Sequence, residues 1–216
     1  MVSRYHVKKL IVEGVQDKRV IPELIEANGI KWGSTKEDAI VYINDYGNDQ
    51  FIDAESIGLE LKSSGLESIG LVVDADDDFS ARWDSVRNAL QPNVVTVPEA
   101  MPVDGLICQS SEGIKVGVWI MPDNKAKGML ETFLTYLVPD GSSPILDWAK
   151  EATQEAKLKE APFKDAHFDK AYIYTWLAWQ GPPGRQLHNA VQEKMLDSSH
   201  PKAQSLVNWF KKLYDL

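Results

Sequence analysis

The chain has 216 residues, 44% of them hydrophobic and 25% charged, with a formal net charge of −9. That length supports about one to one and a half typical domains around a sizeable core. No apolar run approaches the roughly 18 residues that span a bilayer, and the N-terminal MVSRYHVKKLIVEG lacks the apolar stretch and small-residue cleavage site of a signal peptide. A single cysteine, Cys108, excludes an internal disulfide, so a reducing cytoplasm is the expected setting. Residues 1–150 carry 14 Lys and Arg against 24 Asp and Glu, and residues 151–216 carry 9 against 8. An acidic body is a poor match for nucleic acid, which is bound chiefly through Lys and Arg on phosphates. A carboxylate cluster holding a divalent cation reverses that sign locally.

In chain order, His6–Val12 ends in a β-branched apolar run and predicts a strand, closed by Glu13-Gly14. Asp17–Asn28 carries Val20, Ile21, Leu24 and Ile25 at helical spacing, with Pro22 in an early turn and Gly29 as a stop. Ile40–Ile43 predicts a second strand before the turn residues Asn44, Asp45, Gly47 and Asn48. Phe51–Lys62 predicts a helix. Ile69–Val73 is an uncharged run of the kind buried on both faces of a sheet. It ends in Asp74-Ala75-Asp76-Asp77-Asp78, where Asp77 or Asp78 is placed to cap a helix over Phe79–Leu90. Val94–Val97 predicts another strand, and Leu106–Gln109 with Lys115–Met121 a hairpin added to the sheet. From Gly128 the pattern turns helical: Met129–Val138, Ile145–Lys159, His167–Trp179, Gln186–Leu196 and Ala203–Leu213.

This alternation predicts an α/β fold with right-handed crossovers and a mostly parallel sheet flanked by helices. The expected division is a core over residues 1–140 and a helical extension over 141–216 packed on it. Ligands of such sheets bind at the carboxyl ends of the strands. Two strands here end in acid, one at Glu13 and one at Asp74 and Asp76. The two acids of Asp-x-Asp can turn toward one ion at a fraying strand end. Mg²⁺ takes hard oxygen ligands, commonly one or two carboxylates plus water and phosphate.

LIVEGVQDKRVIPELI, followed about 60 residues later by VVDADDD, resembles the Toprim domain of topoisomerases, primases and OLD-type nucleases. That family has a strand ending in Glu-Gly, an Asp opening the next helix, and a later strand ending in Asp-x-Asp. Glu13, Gly14, Asp17, Asp74 and Asp76 stand at the matching positions. The resemblance covers roughly residues 5–135. VWIMPDNKAKGMLETFL is similar to the late acidic helix of the OLD branch, and the whole chain resembles a little-characterised bacterial family of stand-alone Toprim-like proteins.

The resemblance implies a Rossmann-like Toprim fold and Mg²⁺, with Mn²⁺ as substitute. Asp74 and Asp76 would be ligands, and Glu13 a ligand or general acid/base. Gly14 would let the backbone approach a phosphate, and Asp17 would cap the first helix. Glu131 would take a metal or supporting role, and Lys170 would stand in for the lysine that the OLD branch uses after its acidic helix. The expected function is Mg²⁺-dependent phosphodiester chemistry on nucleic acid, as a nuclease regulated by a separate ATPase chain or by homo-oligomerisation. A non-catalytic scaffold that binds nucleic acid or a partner protein is the alternative. A receiver-like signalling domain fits less well, because receivers want paired acids after the first strand.

Other polar residues point elsewhere. The four histidines, His6, His167, His188 and His200, lack zinc-ligand spacing. Cys108 reads as core, and Trp176 and Trp179, three apart on a helix, both read as packing against the sheet. The GPPGR turn offers Arg185 to a phosphate. No Walker-type or Gly-x-Gly-x-x-Gly sequence is present, which argues against nucleotide hydrolysis by this chain.

Overall fold

The computed structural model describes residues 7–47 and 51–216; His6 and Asn48 lie outside them. Five strands form one sheet: β1 (Lys8–Val12), β2 (Tyr42–Asp45), β3 (Ser68–Asp74), β4 (Leu106–Gln109) and β5 (Lys115–Met121), in the order β2-β1-β3-β5-β4. All neighbours are parallel except β4 and β5, which form the expected hairpin. The described helices are α1 (Val15–Ala27), α2 (Ala54–Leu61), α3 (Phe79–Leu90), α4 (Leu130–Tyr136), α5 (Ser143–Leu158), α6 (Phe168–Ala178), α7 (Leu187–Gln192) and α8 (Pro201–Tyr214). Among the described residues no helix is long and apolar enough to cross a membrane.

Period-two alternation along the strands sorts side chains between two cores. Leu10, Val12, Val72, Trp119 and Met121 join α1, α4 and α6–α8 on one face. Ile11, Ile69, Leu71, Val73, Val118 and Ile120 join α2 and α3 on the other. Val20, Ile21, Leu24 and Ile25 of α1 are buried as their spacing predicts, and Pro22 sits inside the helix, two residues deeper than expected because α1 starts at Val15. The C-terminal helix reaches the sheet because Gly70 of β3 and Gly117 of β5, paired in register, leave a flat seat. A Cβ on Gly70 would stand 2.6 Å from the Tyr214 hydroxyl, and one on Gly117 would stand 2.6 Å from Leu213. Tyr214 donates to the Lys9 carbonyl (2.6 Å) and Trp209 to the Leu106 carbonyl (3.0 Å), which satisfies the polar tips of two buried rings.

Several elements depart from expectation: α1 starts two residues early at Val15, and the helix expected over Phe51–Lys62 starts at Ala54, where Asp53 caps it. The second strand runs two residues later than Ile40–Ile43, because the Ile40 N–H is taken by the Trp32 carbonyl and the β1 ladder extends to Val12↔Asp45. Val94–Val97 forms no strand. It meets just the end of β4, through one bridge between Val94 and Ser110, and Val95 is exposed. The helix expected over Gln186–Leu196 closes at Gln192, where Lys194 turns left-handed (φ 57°) and the Met195 N–H returns to the Ala190 carbonyl.

Candidate functional site

β1 and β3 are parallel neighbours, yet the helices that follow them leave on opposite faces: α1 packs in one core and α3 in the other. This divergence opens a crevice at the carboxyl ends of the two strands, the place where open α/β sheets bind ligands. Glu13 follows β1 immediately, and Asp74 closes β3. They are tied together: Glu13 Oε2 accepts the Asp74 N–H at 3.1 Å. Asp74 Oδ1 accepts the N–H of Leu130 at 3.0 Å, so the carboxylate caps the N-terminus of α4.

Asp76 adopts a left-handed conformation (φ 53°), which Asp tolerates better than most residues. It is pinned there by a reciprocal pair of backbone bonds with Gly128, at 2.9 and 2.8 Å. Gly128 has φ 132°, and a Cβ there would stand 2.5 Å from Thr132 Oγ1, so glycine is required. This stitch fixes the start of α4 and with it Glu131. The Glu131 side chain is 4% exposed and pairs at 2.9 Å with Lys170 Nζ, which projects from α6 and is 46% exposed. Asp17 is 5% exposed and accepts the Gly14 N–H at 3.1 Å. Gly14 itself is extended (φ −127°), and a Cβ there would crowd the Asp17 carboxylate at 3.2 Å. Its smallness serves the first turn of α1.

Glu13, Gly14, Asp17, Asp74, Asp76, Glu131 and Lys170 line one cavity of about 490 Å³, together with Asp45 and His167. Carboxylates outnumber cations, and the acids respond accordingly. Burial, then the charge of Glu131, pushes Asp17 up to about 7. Burial and the charges of Asp17, Glu13 and Glu131 hold Asp74 well above the usual carboxylate range. Burial works to lower Lys170, but the charge and hydrogen bond of Glu131 outweigh it and raise the ammonium. At the rim, the hydrogen bond from Lys18 (2.5 Å) lowers Asp45.

Among the described residues no three Asp, Glu, His or Cys side chains stand close enough to enclose a cation. Protein donors splay them: the Asp74 N–H engages Glu13, the Leu130 N–H engages Asp74, Lys170 engages Glu131, and Arg82 Nη2 engages Asp76 at 2.5 Å. The donor set still suits a hard divalent ion, since it consists of oxygens under mutual repulsion at a strand edge. Asp76, 46% exposed, has room to turn.

Of the candidate site residues read from the sequence, Arg185 does not line the cavity; it pairs with Glu193 at 2.9 Å. Asp78 caps α3 through the Ala81 N–H. Trp176 is buried in the core as expected, but Trp179, expected to pack beside it, is exposed at the end of α6. Burial pushes the Cys108 thiol up to about 11, far from a nucleophilic thiolate. Sequence reasoning passed over Arg82, Asp45 and His167. His167 carried a faint signal, standing at the N-cap of α6 three residues before Lys170.

The fold and the cavity define an α/β protein with an acid-lined pocket at the switch point of a mostly parallel sheet. Residues 7–215 match the model of the DUF3226 family, described as "Protein of unknown function", and the chain belongs to that family. No curated protein and no solved structure matches it.

Proposed function

We propose that this protein performs Mg²⁺-dependent phosphodiester chemistry on nucleic acid, as a nuclease of the Toprim kind. One observation carries the reading. Glu13 and Asp74 stand at the ends of neighbouring parallel strands, with Asp76 two residues further on, in a single cavity joined by Glu131 and Lys170 from the later helices. Glu13, Asp74 and Asp76 would hold the ion, with Glu131 as ligand or support. The ion, Mg²⁺ or Mn²⁺, would polarise a phosphoryl oxygen and make bound water nucleophilic near neutral pH.

The chain's own groups supply the rest. Lys170 sets a positive charge at the mouth of the cavity, where negative charge develops on a transferring phosphoryl group. In the metal-free protein Asp17 is raised to about 7, so near neutral pH it can hold a proton inside the cavity that a bound cation would favour releasing. The acid surplus disfavours nucleic acid until a cation is bound, so substrate binding follows metal binding.

Labelled DNA and RNA incubated with Mg²⁺, Mn²⁺ or EDTA test the reading, with Glu13→Gln and Asp74→Asn as controls. Cleavage is expected in either metal, to vanish in EDTA, and to fall at least about 100-fold in both variants. A second reading has its own observation: every acid named above already has a protein donor. That arrangement suits a non-catalytic scaffold, which would bind a partner equally well in EDTA and cut nothing.

A further inference from the structure

We infer that His167 is the general acid of the proposed cleavage, giving its ring proton to the leaving oxygen of the phosphodiester. The inference rests on the proposed reading and deepens it at the end of the scissile bond that the attacking water does not serve. His167 stands at the N-cap of α6, a position whose side chain ordinarily accepts a hydrogen bond from the first turn of its helix. His200 does this at the start of α8, where its Nδ1 accepts the Lys202 N–H at 3.2 Å. The His167 side chain makes no such bond; it is exposed and lines the acid-lined cavity instead. Among the described residues neither of its ring nitrogens has a partner.

The other titratable groups on the cavity are committed. Glu13, Asp17, Asp74, Asp76 and Glu131 each hold a protein donor, and Asp45 holds Lys18. Lys170 spends its charge on Glu131, which raises the ammonium and so makes it a poorer proton donor. An imidazole exchanges a proton within the neutral range, and one open to solvent is recharged at every turnover. Attack in line sends the leaving oxygen away from the attacking water. With the water at the strand-end acids, that oxygen is presented toward α6. The water oxygen bonds to phosphorus, and its proton passes to a cavity carboxylate. The bond from phosphorus to the leaving oxygen breaks with its electron pair, and the His167 N–H proton goes to that oxygen.

A leaving group that needs no proton tests the role. Wild type and His167→Gln are compared on labelled oligonucleotides with the ordinary linkage and with sulfur at the 3′ or the 5′ bridging position, all in saturating Mn²⁺. On the ordinary linkage kcat should fall at least about 100-fold in the variant. On the linkage whose sulfur departs it should stay within about fivefold of wild type, because a thiolate leaves unprotonated. Calorimetry without nucleic acid should give an Mn²⁺ affinity within about twofold of wild type, since the ring is not a ligand. Equal losses on oxygen and sulfur linkages, or no loss on either, overturn the inference and leave the metal site standing. Loss of Mn²⁺ binding by a folded His167→Gln makes the ring a ligand and overturns it too. Wild type that cuts none of the three oligonucleotides overturns the proposed reading as well.

Discussion

Lys170 Nζ stands 2.9 Å from Glu131 Oε1, and the two are unequal partners: the acid is almost wholly buried and the ammonium is half in water. The pair joins α6 to α4, whose start is stitched to the Asp76 loop. A contact 39 positions apart in sequence thus links the C-terminal helices to the strand-end acids.

Removing that ammonium leaves a buried carboxylate without its cation. Lys170→Met should cost about 2 kcal/mol of stability, less than a fully buried pair because the lysine is half exposed. Glu131→Gln with Lys170→Met should restore most of that stability. Activity should fall at least about 100-fold in the single variant and stay low in the double, because the positive charge is still missing. Lys157→Met, which removes a pairing with the exposed Asp165 and a hydrogen bond to the Phe163 carbonyl, is the control: it should leave activity near wild type whatever it costs in stability. Recovery of activity in the double variant would make Lys170 merely a structural counter-ion.

The seat of the C-terminal helix is a separate matter of packing. Gly70→Ala drives a methyl against the Tyr214 hydroxyl, Leu10 and Leu213, the last two at 2.9 Å, and Tyr214 is tied to the Lys9 carbonyl. Overpacking of this kind costs about 1–3 kcal/mol. Gly113→Ala, in an open turn with nothing nearby, should cost little beyond the strain of φ 85°. Urea unfolding checks both; equal midpoints for Gly70→Ala and wild type would mean that α8 does not lie where the sheet glycines put it.

Much of this was legible locally. The bounds of Phe79–Leu90 follow from a cap and a helical period, and the acids at Glu13 and Asp74 from apolar runs that stop abruptly. What stayed hidden depends on distant residues. Nothing in SIGLVVD says that Gly70 is a seat for Tyr214, some 140 residues later. Asp17 reads as an ordinary first-turn acid until Glu131 is brought beside it. The hold of Arg82 on Asp76 spans six residues, but it needs the left-handed turn at Asp76 to exist. Val94–Val97 has strand composition and lacks a partner long enough to pair with.

The pH response of the metal-free protein follows from Asp17. Its folded-state value, about 7, lies above the unfolded value near 4, so folding favours the protonated acid. The sign is therefore fixed. That stability is fully present below about pH 4 and is lost as pH rises through about 7, by an amount on the order of 4 kcal/mol. Asp74 is shifted in the same direction and adds to the slope. Asp38, Asp53 and Asp197, whose hydrogen bonds lower them, act oppositely and only at pH values below about 4. In EDTA, urea midpoints should fall from pH 4.5 to 7.5 in wild type and fall much less in Asp17→Asn, which keeps an oxygen for the Gly14 N–H. Parallel slopes in the two proteins would remove Asp17 as the cause.

Cation binding should oppose that loss, and Asp74 is the residue with which to show it. Asp76→Asn is an ambiguous probe, because it also strips Arg82 of a partner. Asp74→Asn keeps an oxygen for the Leu130 N–H and relieves repulsion among Asp17, Glu13 and Glu131. Without metal at pH 7.5 the variant should be more stable than wild type by about 1–2 kcal/mol. With Mn²⁺ at about 100 times its Kd, wild type should gain about 3 kcal/mol by mass action, or roughly 5–10 °C in Tm. The variant, short of one ligand, should gain at most about a third of that, so the order of the two Tm values should invert as Mn²⁺ is added. Mg²⁺ should give the same inversion at higher concentration, and EDTA should reverse it. Equal gains in the two proteins would place the cation away from the strand-end acids, and with it would go the proposal that they do phosphodiester chemistry.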